Sequence, residues 1–416
     1  MIEKKTLPSG VRLVYEPMDS VRSAAIGFWM GHGSRYEPEH FSGISHAIEH
    51  MVFKGTQSRS SQQVAEEMDA IGGQVNAFTT KESTCFYARS LDSHLEKATE
   101  LLHDIFFHPR MDEGDWDTER GVILEEIGMY EDSPEDLASE RLFGAIFPNM
   151  PLGRPIIGTP ETLRQMTARD ILDYRNAVYS PSRLVVSVAG RFSEENKAFL
   201  EEKLSSLAAM PHKEPEPAAY SPAITLREKP IEQNHFCLAF PGLKTGHEKR
   251  YVMNIMSGVL GTGMSSRLFR SVREEHGLCY SIYTFTAGHL DTGVFGVYSA
   301  LGKNTERQAL SLVREVLECF AKHGPGPDEL DRVREQIKAN LLMSLESSSS
   351  RMHHLGQHEL MTGKIPEPDD IVKELDLVTA DRVTELAQEV LDMKNVSLSV
   401  VGNPDNKENY QELLAH

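Results

Sequence analysis

Cysteine is scarce: the 416-residue chain has four, Cys85, Cys237, Cys279 and Cys319, and no C-x-x-C pair. That excludes a disulfide scaffold, a zinc ribbon and a thioredoxin-type redox site, and it fits a reducing compartment. Positive charge is in deficit: 43 Lys and Arg against 62 Asp and Glu leave a formal net charge of −19. Such a field repels a phosphate backbone, so no nucleic-acid partner is expected. No window reaches the run of about 18 apolar residues needed for a transmembrane helix, so no membrane partner is expected either. The opening residues MIEKKTLPSG lead into a strand-like run. They are followed by no apolar h-region and are not rich in Arg and Ser, so neither a secretory signal nor a transit peptide is expected and the cytoplasm is the expected location. No G-x-G-x-x-G follows a strand-like run, which removes the main sign of a Rossmann-type sheet. What remains, 40% hydrophobic and 25% charged residues, is ordinary for a globular protein of two or three domains.

The stretch 210–223, MPHKEPEPAAYSPA, holds four prolines and few large aliphatics and reads as an extended linker. It divides the chain into 1–209 and 224–416. The halves resemble each other: RLVVSVAG (183–190) and NVSLSVVG (395–402), MTARD (166–170) and VTADR (378–382), and AAIGFW (24–29) and FCLAFP (236–241) all stand 212 residues apart. A duplicated domain explains the common offset. Runs such as Val11–Tyr15, Ala25–Met30, Thr84–Arg89, Leu184–Ala189, Gly293–Ser299 and Val396–Val401 predict strands. Gln62–Ile71, Asp92–Phe107, Glu113–Glu131, Thr305–Lys322 and Asp328–Leu345 predict helices. The expected fold class is α+β, with two duplicated domains, each a β-sheet with helices packed on one face.

The chemistry concentrates in GISHAIEHM, 43–51, which contains H-x-x-E-H. At about 100° per residue, Ile44, Ala47, Ile48, Met51 and Val52 form one apolar stripe, while Glu49, His46 and His50 fall at about 140°, 200° and 240°, on the opposite face. Imidazoles at i and i+4 can hold one metal, and a carboxylate beside a metal-bound water can act as general base. A third ligand is needed. In the predicted helix Glu113–Glu131, Glu119 and Glu126 fall at about −40° and −60° from Ile123, inside the apolar sector with Trp116, Ile127 and Tyr130, and Glu125 lies on the far side. Two carboxylates in a buried sector are costly unless a cation compensates them. Glu126 or Glu119, and not Glu125, is therefore the candidate ligand.

H-x-x-E-H is the inverzincin signature. GISHAIEHMVFKGT (43–56) closely resembles the active-site helix of the pitrilysin and insulin-degrading-enzyme family, in its mitochondrial-processing-peptidase branch. The resemblance continues through GGQVNAFT (72–79), ERGVILEE (119–126) and the segment from SRLF (266–269) to Tyr280. It implies a zinc metalloendopeptidase. His46 and His50 are implied as ligands, Glu49 as the base, and Glu126, 76 positions after His50, as the third ligand, with Glu119 supporting the site. Arg273 and Tyr280 are implied to steady the substrate carbonyl and developing oxyanion. The strand Asn76, Ala77, Phe78 and Thr79 is implied to pair with an extended peptide substrate. The resemblance further implies a homodimer, four domains around a chamber that admits short or unfolded peptides. The residue 212 after His46 is Gly258, so one metal site per chain is expected. A non-catalytic peptide-binding or assembly subunit is the other role the resemblance allows, and the intact motif argues against it.

Other motifs carry less. His354 and His358 are spaced i,i+4, with Leu355, Gly356 and Gln357 between them and no carboxylate, and read as a helix-surface pair. Gly258–Gly263 lacks a following G-K-[ST] and reads as a helix end and turn. The methionines read as core filler, and the acidic run 131–136 as a solvated loop.

Overall fold

The computed structural model describes residues 2–208, 210 and 214–415. Among these residues the eleven strands are β1 (Glu3–Thr6), β2 (Arg12–Pro17), β3 (Ser23–Met30), β4 (Gln74–Thr79), β5 (Thr84–Leu91), β6 (Leu184–Gly190), β7 (Ile224–Glu228), β8 (Gln233–Pro241), β9 (Cys279–Gly288), β10 (Gly293–Gly302) and β11 (Ser397–Gly402). They form two sheets, ordered β1-β2-β6-β3-β5-β4 and β7-β11-β8-β10-β9. With β1 set aside the orders correspond strand for strand. The parallel pairs correspond as well, β2 with β6 and β7 with β11, all other neighbours being antiparallel. The helices Ala168–Val178 and Ala380–Val390 stand 212 residues apart at both ends. The α+β class and the duplication are thus both present in the architecture.

Two compact units contain these sheets, and each is discontinuous in sequence. Unit 1 comprises Met1–Ile127, Arg154–Glu216 and Met343–Pro366; unit 2 comprises Gly128–Gly153, Pro217–Leu342 and Glu367–His416. The division at 216/217 falls in the proline-rich linker. Within that linker 211–213 lie outside the described residues, and 214–223 carry neither helix nor strand.

In unit 1 one face of the sheet (Leu13, Ile26, Phe28, Phe86, Val186) packs on the helices Ile44–Met51, Leu95–Phe107, Glu113–Asp132 and Ala168–Val178. The sequence pattern predicts helices on one face. The structure adds a helix on the other, Ser348–Thr362, whose Met352 and Leu355 cover Val14, Ala25, Trp29, Cys85 and Val185. Its approach is close: Trp29 Nε1 donates to Ser187 Oγ at 3.0 Å, which donates to the Met352 carbonyl at 2.9 Å. A Cβ at Gly356 would lie 2.0 Å from Trp29 Nε1, so only glycine fits there. In unit 2 the helix Pro134–Ile146 plays the same part, with Leu142 and Ile146 on Cys237, Ala239, Val294 and Tyr298. The opposite face packs on the helices Arg250–Gly261, Glu306–His323 and Ala380–Val390. Burial on both faces explains why β3 and β6 read as continuous apolar runs and not as alternating ones.

The acidic run 131–136 is not a loop. Glu131 and Asp132 end one helix, and Ser133 caps the next, its Oγ accepting from the Asp136 N–H, with Pro134 at the first helical position. Ser-Pro-Glu-Asp is a helix-start sequence, because it supplies the cap, the fixed φ and negative charge at the helix N-terminus. Gly258–Gly263 is, as read, a helix end and turn, with Gly263 at φ +82°. Cys85, Cys237, Cys279 and Cys319 are all free.

Candidate metal centre

The helix Ile44–Met51 is held by its apolar stripe: Ile44, Ala47, Ile48 and Met51 are fully buried. It starts at Gly43, whose φ of +96° suits glycine and which has no side chain to cap the free N–H groups. Glu37 caps them instead. Its carboxylate accepts from the Gly43 N–H at 2.7 Å and the Ser45 N–H at 2.8 Å. Burial pushes the Glu37 carboxyl up to about 7, against these two hydrogen bonds and Arg154.

On the opposite side of this helix, His46, His50 and Glu126 converge, with one ligand atom of each within 4.8 Å of the others. Glu126 Oε2 lies 3.7 Å from both His46 Nε2 and His50 Nε2. Glu126 comes from the helix Glu113–Asp132, where Trp116, Glu119 and Ile123 are buried and Glu125 is exposed, as the helical phase predicts. Burial of the stripe ends at Ile127; Tyr130 is 41% exposed. Two turns before Glu126 the same helix presents Glu119, whose Oε2 meets His50 Nδ1 at 3.0 Å and whose Oε1 receives Lys54 Nζ at 2.6 Å.

Donor chemistry and spacing fit zinc. Donors bound at about 2.0–2.1 Å in a tetrahedron stand about 3.3 Å apart, near the 3.7 Å from Glu126 to each histidine, and two imidazoles with one carboxylate form a three-ligand catalytic set. Glu119 engages His50 Nδ1 and so leaves Nε2 as the ligand atom. Among the described residues, His46 Nδ1 is buried with no hydrogen-bond partner. Burial, aided by the neighbouring His50, pushes His46 down to about 4. Burial opposes charge on His50 as well, but the carboxylates of Glu126 and Glu119 outweigh it and raise its pKa. The hydrogen-bonding contact with His50 and the charge of both imidazoles hold the Glu126 carboxyl below its usual range despite burial.

Glu49 lies on the same face. Burial raises its pKa, opposed by Thr79, whose Oγ1 donates to Glu49 Oε2 at 2.5 Å. Thr79 ends β4, which among the described residues is hydrogen-bonded only to β5 and is the free edge of its sheet. The Asn76 side chain accepts from the Ala77 N–H at 2.9 Å. The Phe78 ring lies stacked on His353 at 5.9 Å and edge-on to Trp29 at 5.7 Å. It therefore packs on the face covered by Ser348–Thr362, away from Glu49, and any contribution of Phe78 at the site is confined to its backbone.

Arg273 and Tyr280 belong to unit 2 and stand together. The Arg273 guanidinium lies 4.6 Å from the Phe269 ring and 5.0 Å from the Tyr280 ring, and Tyr280 is 78% exposed. Arg273 sits in the π-helical turn Phe269–Glu275, a winding often found at functional sites. His354 and His358 form no site: their ring nitrogens bond to the backbone carbonyls of Pro366 and His354.

Lys54, Glu37 and the contact from Thr79 to Glu49 are absent from the sequence reading. For Lys54 a signal exists: it follows His50 by four residues, as His50 follows His46. Glu37 and the Thr79 contact arise from tertiary approach and have no spacing rule.

Residues 12–160 match the family model described as Insulinase (Peptidase family M16), and residues 165–337 match Peptidase M16 inactive domain. The chain is 42% identical to the "Uncharacterized zinc protease YmxG" of Bacillus subtilis (strain 168), over 94% of this chain and 96% of that protein. It is 37% identical to the "Uncharacterized zinc protease SCO5738" of Streptomyces coelicolor, over 98% and 91%. A crystal structure titled peptidase M16 inactive domain, from Pseudomonas fluorescens, superposes with a TM-score of 0.90 at 18% identity, covering 97% of this chain and 98% of that one. A protease from Helicobacter pylori superposes with a TM-score of 0.89 at 21% identity, covering 97% and 99%; at these identities the two structures bear on the fold. The full-length relationships and the two consecutive domain matches place the chain in the insulinase family of peptidases, family M16.

Proposed function

We propose that the chain is a zinc metalloendopeptidase in which His46, His50 and Glu126 hold the metal and Glu49 is the general base. The observation that carries the reading is the convergence of those three donors beside a half-buried carboxylate one residue before the second histidine. The zinc-protease names of full-length relatives support it. Zinc held there supplies a Lewis acid that polarises a peptide carbonyl and makes a water nucleophilic at neutral pH. Glu49 takes a proton from the attacking water and returns it to the departing amine. Burial makes its carboxylate more basic, nearer to working pH. Thr79 occupies Oε2 and leaves Oε1 free for the proton. The free edge of β4 pairs with the backbone of an extended peptide, which asks little of its sequence. Arg273 and Tyr280 are the proposed donors to the substrate carbonyl and the oxyanion.

The substrates in this reading are short or unfolded peptides, cut in the chamber of a homodimer in the cytoplasm. Among the described residues no helix is long and apolar enough to cross a membrane. The test is cleavage of a quenched fluorescent peptide by wild type and Glu49→Gln at equal zinc occupancy. The expected result is cleavage by wild type and a rate lower by about 10²- to 10⁴-fold for the variant, since the base is lost while the metal stays. Zinc-loaded wild type that cuts nothing in a broad peptide mixture would favour the peptide-binding subunit.

A further inference from the structure

We propose that Lys54 is a positioning residue of the metal centre, acting through Glu119 to hold the His50 imidazole as a ligand. The proposal rests on the zinc reading above. His46, His50 and Lys54 recur every four residues along the helix Ile44–Met51 and the turn Val52–Lys54 that continues it. Glu119 and Glu126 stand two turns apart on the facing helix. The two rows interlock: Glu126 lies between His46 and His50, and Glu119 between His50 and Lys54.

Glu119 is nearly buried, with its side chain 7% exposed, and its two oxygens have separate partners, Lys54 Nζ at 2.6 Å and His50 Nδ1 at 3.0 Å. An imidazole N–H alone gives a buried carboxylate little compensation, whereas an ammonium on the other oxygen supplies the opposite charge. Two fixed points also define the plane of the carboxylate and hence the ring angle of His50. Without Lys54 one oxygen loses its anchor, the carboxylate can rotate, and His50 loses its fixed tautomer and direction. Partners at this remove from a metal are worth 10- to 100-fold in its affinity. An ordinary exposed ion pair is worth far less, and the Lys54 side chain is 35% exposed, so the two roles give different outcomes.

The experiment is zinc affinity by competition with a chromophoric chelator, for full-length wild type, Lys54→Met, Lys54→Arg, Glu119→Gln and the Lys54→Met/Glu119→Gln double variant. Thermal unfolding of the metal-free forms is followed in parallel. Lys54→Met and Glu119→Gln are each expected to bind zinc about 10- to 100-fold more weakly, with Lys54→Arg recovering most of the loss. The double variant is expected to be no weaker than Glu119→Gln, because residues acting in one chain do not add. Wild-type affinity in Lys54→Met, losses that add in the double variant, or a metal-free Lys54→Met that no longer folds would each overturn the proposal. Failure of the metal reading looks different: wild type itself would then bind no stoichiometric zinc.

Discussion

Glu49 and His50 are adjacent in sequence and differ in what surrounds them. His50 faces two carboxylates that favour its charge, while Glu49 faces burial that disfavours its own, relieved chiefly by one hydroxyl. That hydroxyl, Thr79 Oγ1, fixes which oxygen of Glu49 is free. Removing it in Thr79→Val takes a hydrogen bond from a charged group, worth about 1.5–3 kcal/mol. The expected result is kcat lower by roughly 10- to 100-fold, with zinc content unchanged and most of the rate recovered in Thr79→Ser. Steady-state kinetics beside metal analysis checks it, and an unchanged kcat in Thr79→Val would remove the hydroxyl from the machinery. The converging donors and Glu49 were legible as residues because helical phase is a local rule. His46, His50 and Glu49 share one face, and Glu119 and Glu126 share another. Helical phase did not choose between Glu126 and Glu119, and only the resemblance singled out Glu126; the approach of two helices puts Glu126 beside both Nε2 atoms and Glu119 behind His50.

At the scale of the element, the helix Ile44–Met51 is unusual in its start. Glycine at its cap leaves the first N–H groups to Glu37, so a carboxyl with a pKa of about 7 holds the element that presents both histidines. The pH dependence follows from linkage. An unfolded Glu titrates near its ordinary value of about 4.5, so between that value and about 7 the folded chain holds a proton the unfolded chain has lost. The contribution of Glu37 to stability is therefore fully present below about 4.5 and is lost as pH rises through about 7. Glu37→Gln has no such slope, though its amide NH2 faces a backbone donor and adds a loss independent of pH. Between pH 5 and pH 8 the advantage of wild type over Glu37→Gln is expected to shrink, by at most about 3 kcal/mol. Urea unfolding midpoints of the metal-free proteins at the two pH values measure the change. A constant gap would mean that Glu37 is ionised throughout.

At the scale of the molecule, the duplication and both sheets were legible, because strands and one recurring offset are carried by short apolar segments. The ownership of two helices was not. Neither Ser348–Thr362 nor Pro134–Ile146 is among the helices that the sequence pattern predicts, and periodicity does not say which sheet a helix covers. Leu142 and Ile146 come from the first half but pack on β8 and β10, and Met352 and Leu355 come from the second half but pack on β2, β3 and β6. The continuous apolar runs of β3 and β6 were the sign that a second cover was needed. The consequence concerns fragments cut at the linker. Fragment 1–209 lacks the helix that covers Trp29 and Val185, and fragment 224–416 lacks the one that covers Cys237 and Val294. Each alone exposes a contiguous apolar sheet face, which drives aggregation. Expressed separately, each is expected to aggregate or to bind a hydrophobic dye strongly. Expressed together, they are expected to co-purify one to one, because each carries the helix that the other's sheet requires. Gel filtration with light scattering reads the outcome. Two separately folded, dye-silent fragments would mean that those helices are accessory covers and that each sheet is stable with helices on one face.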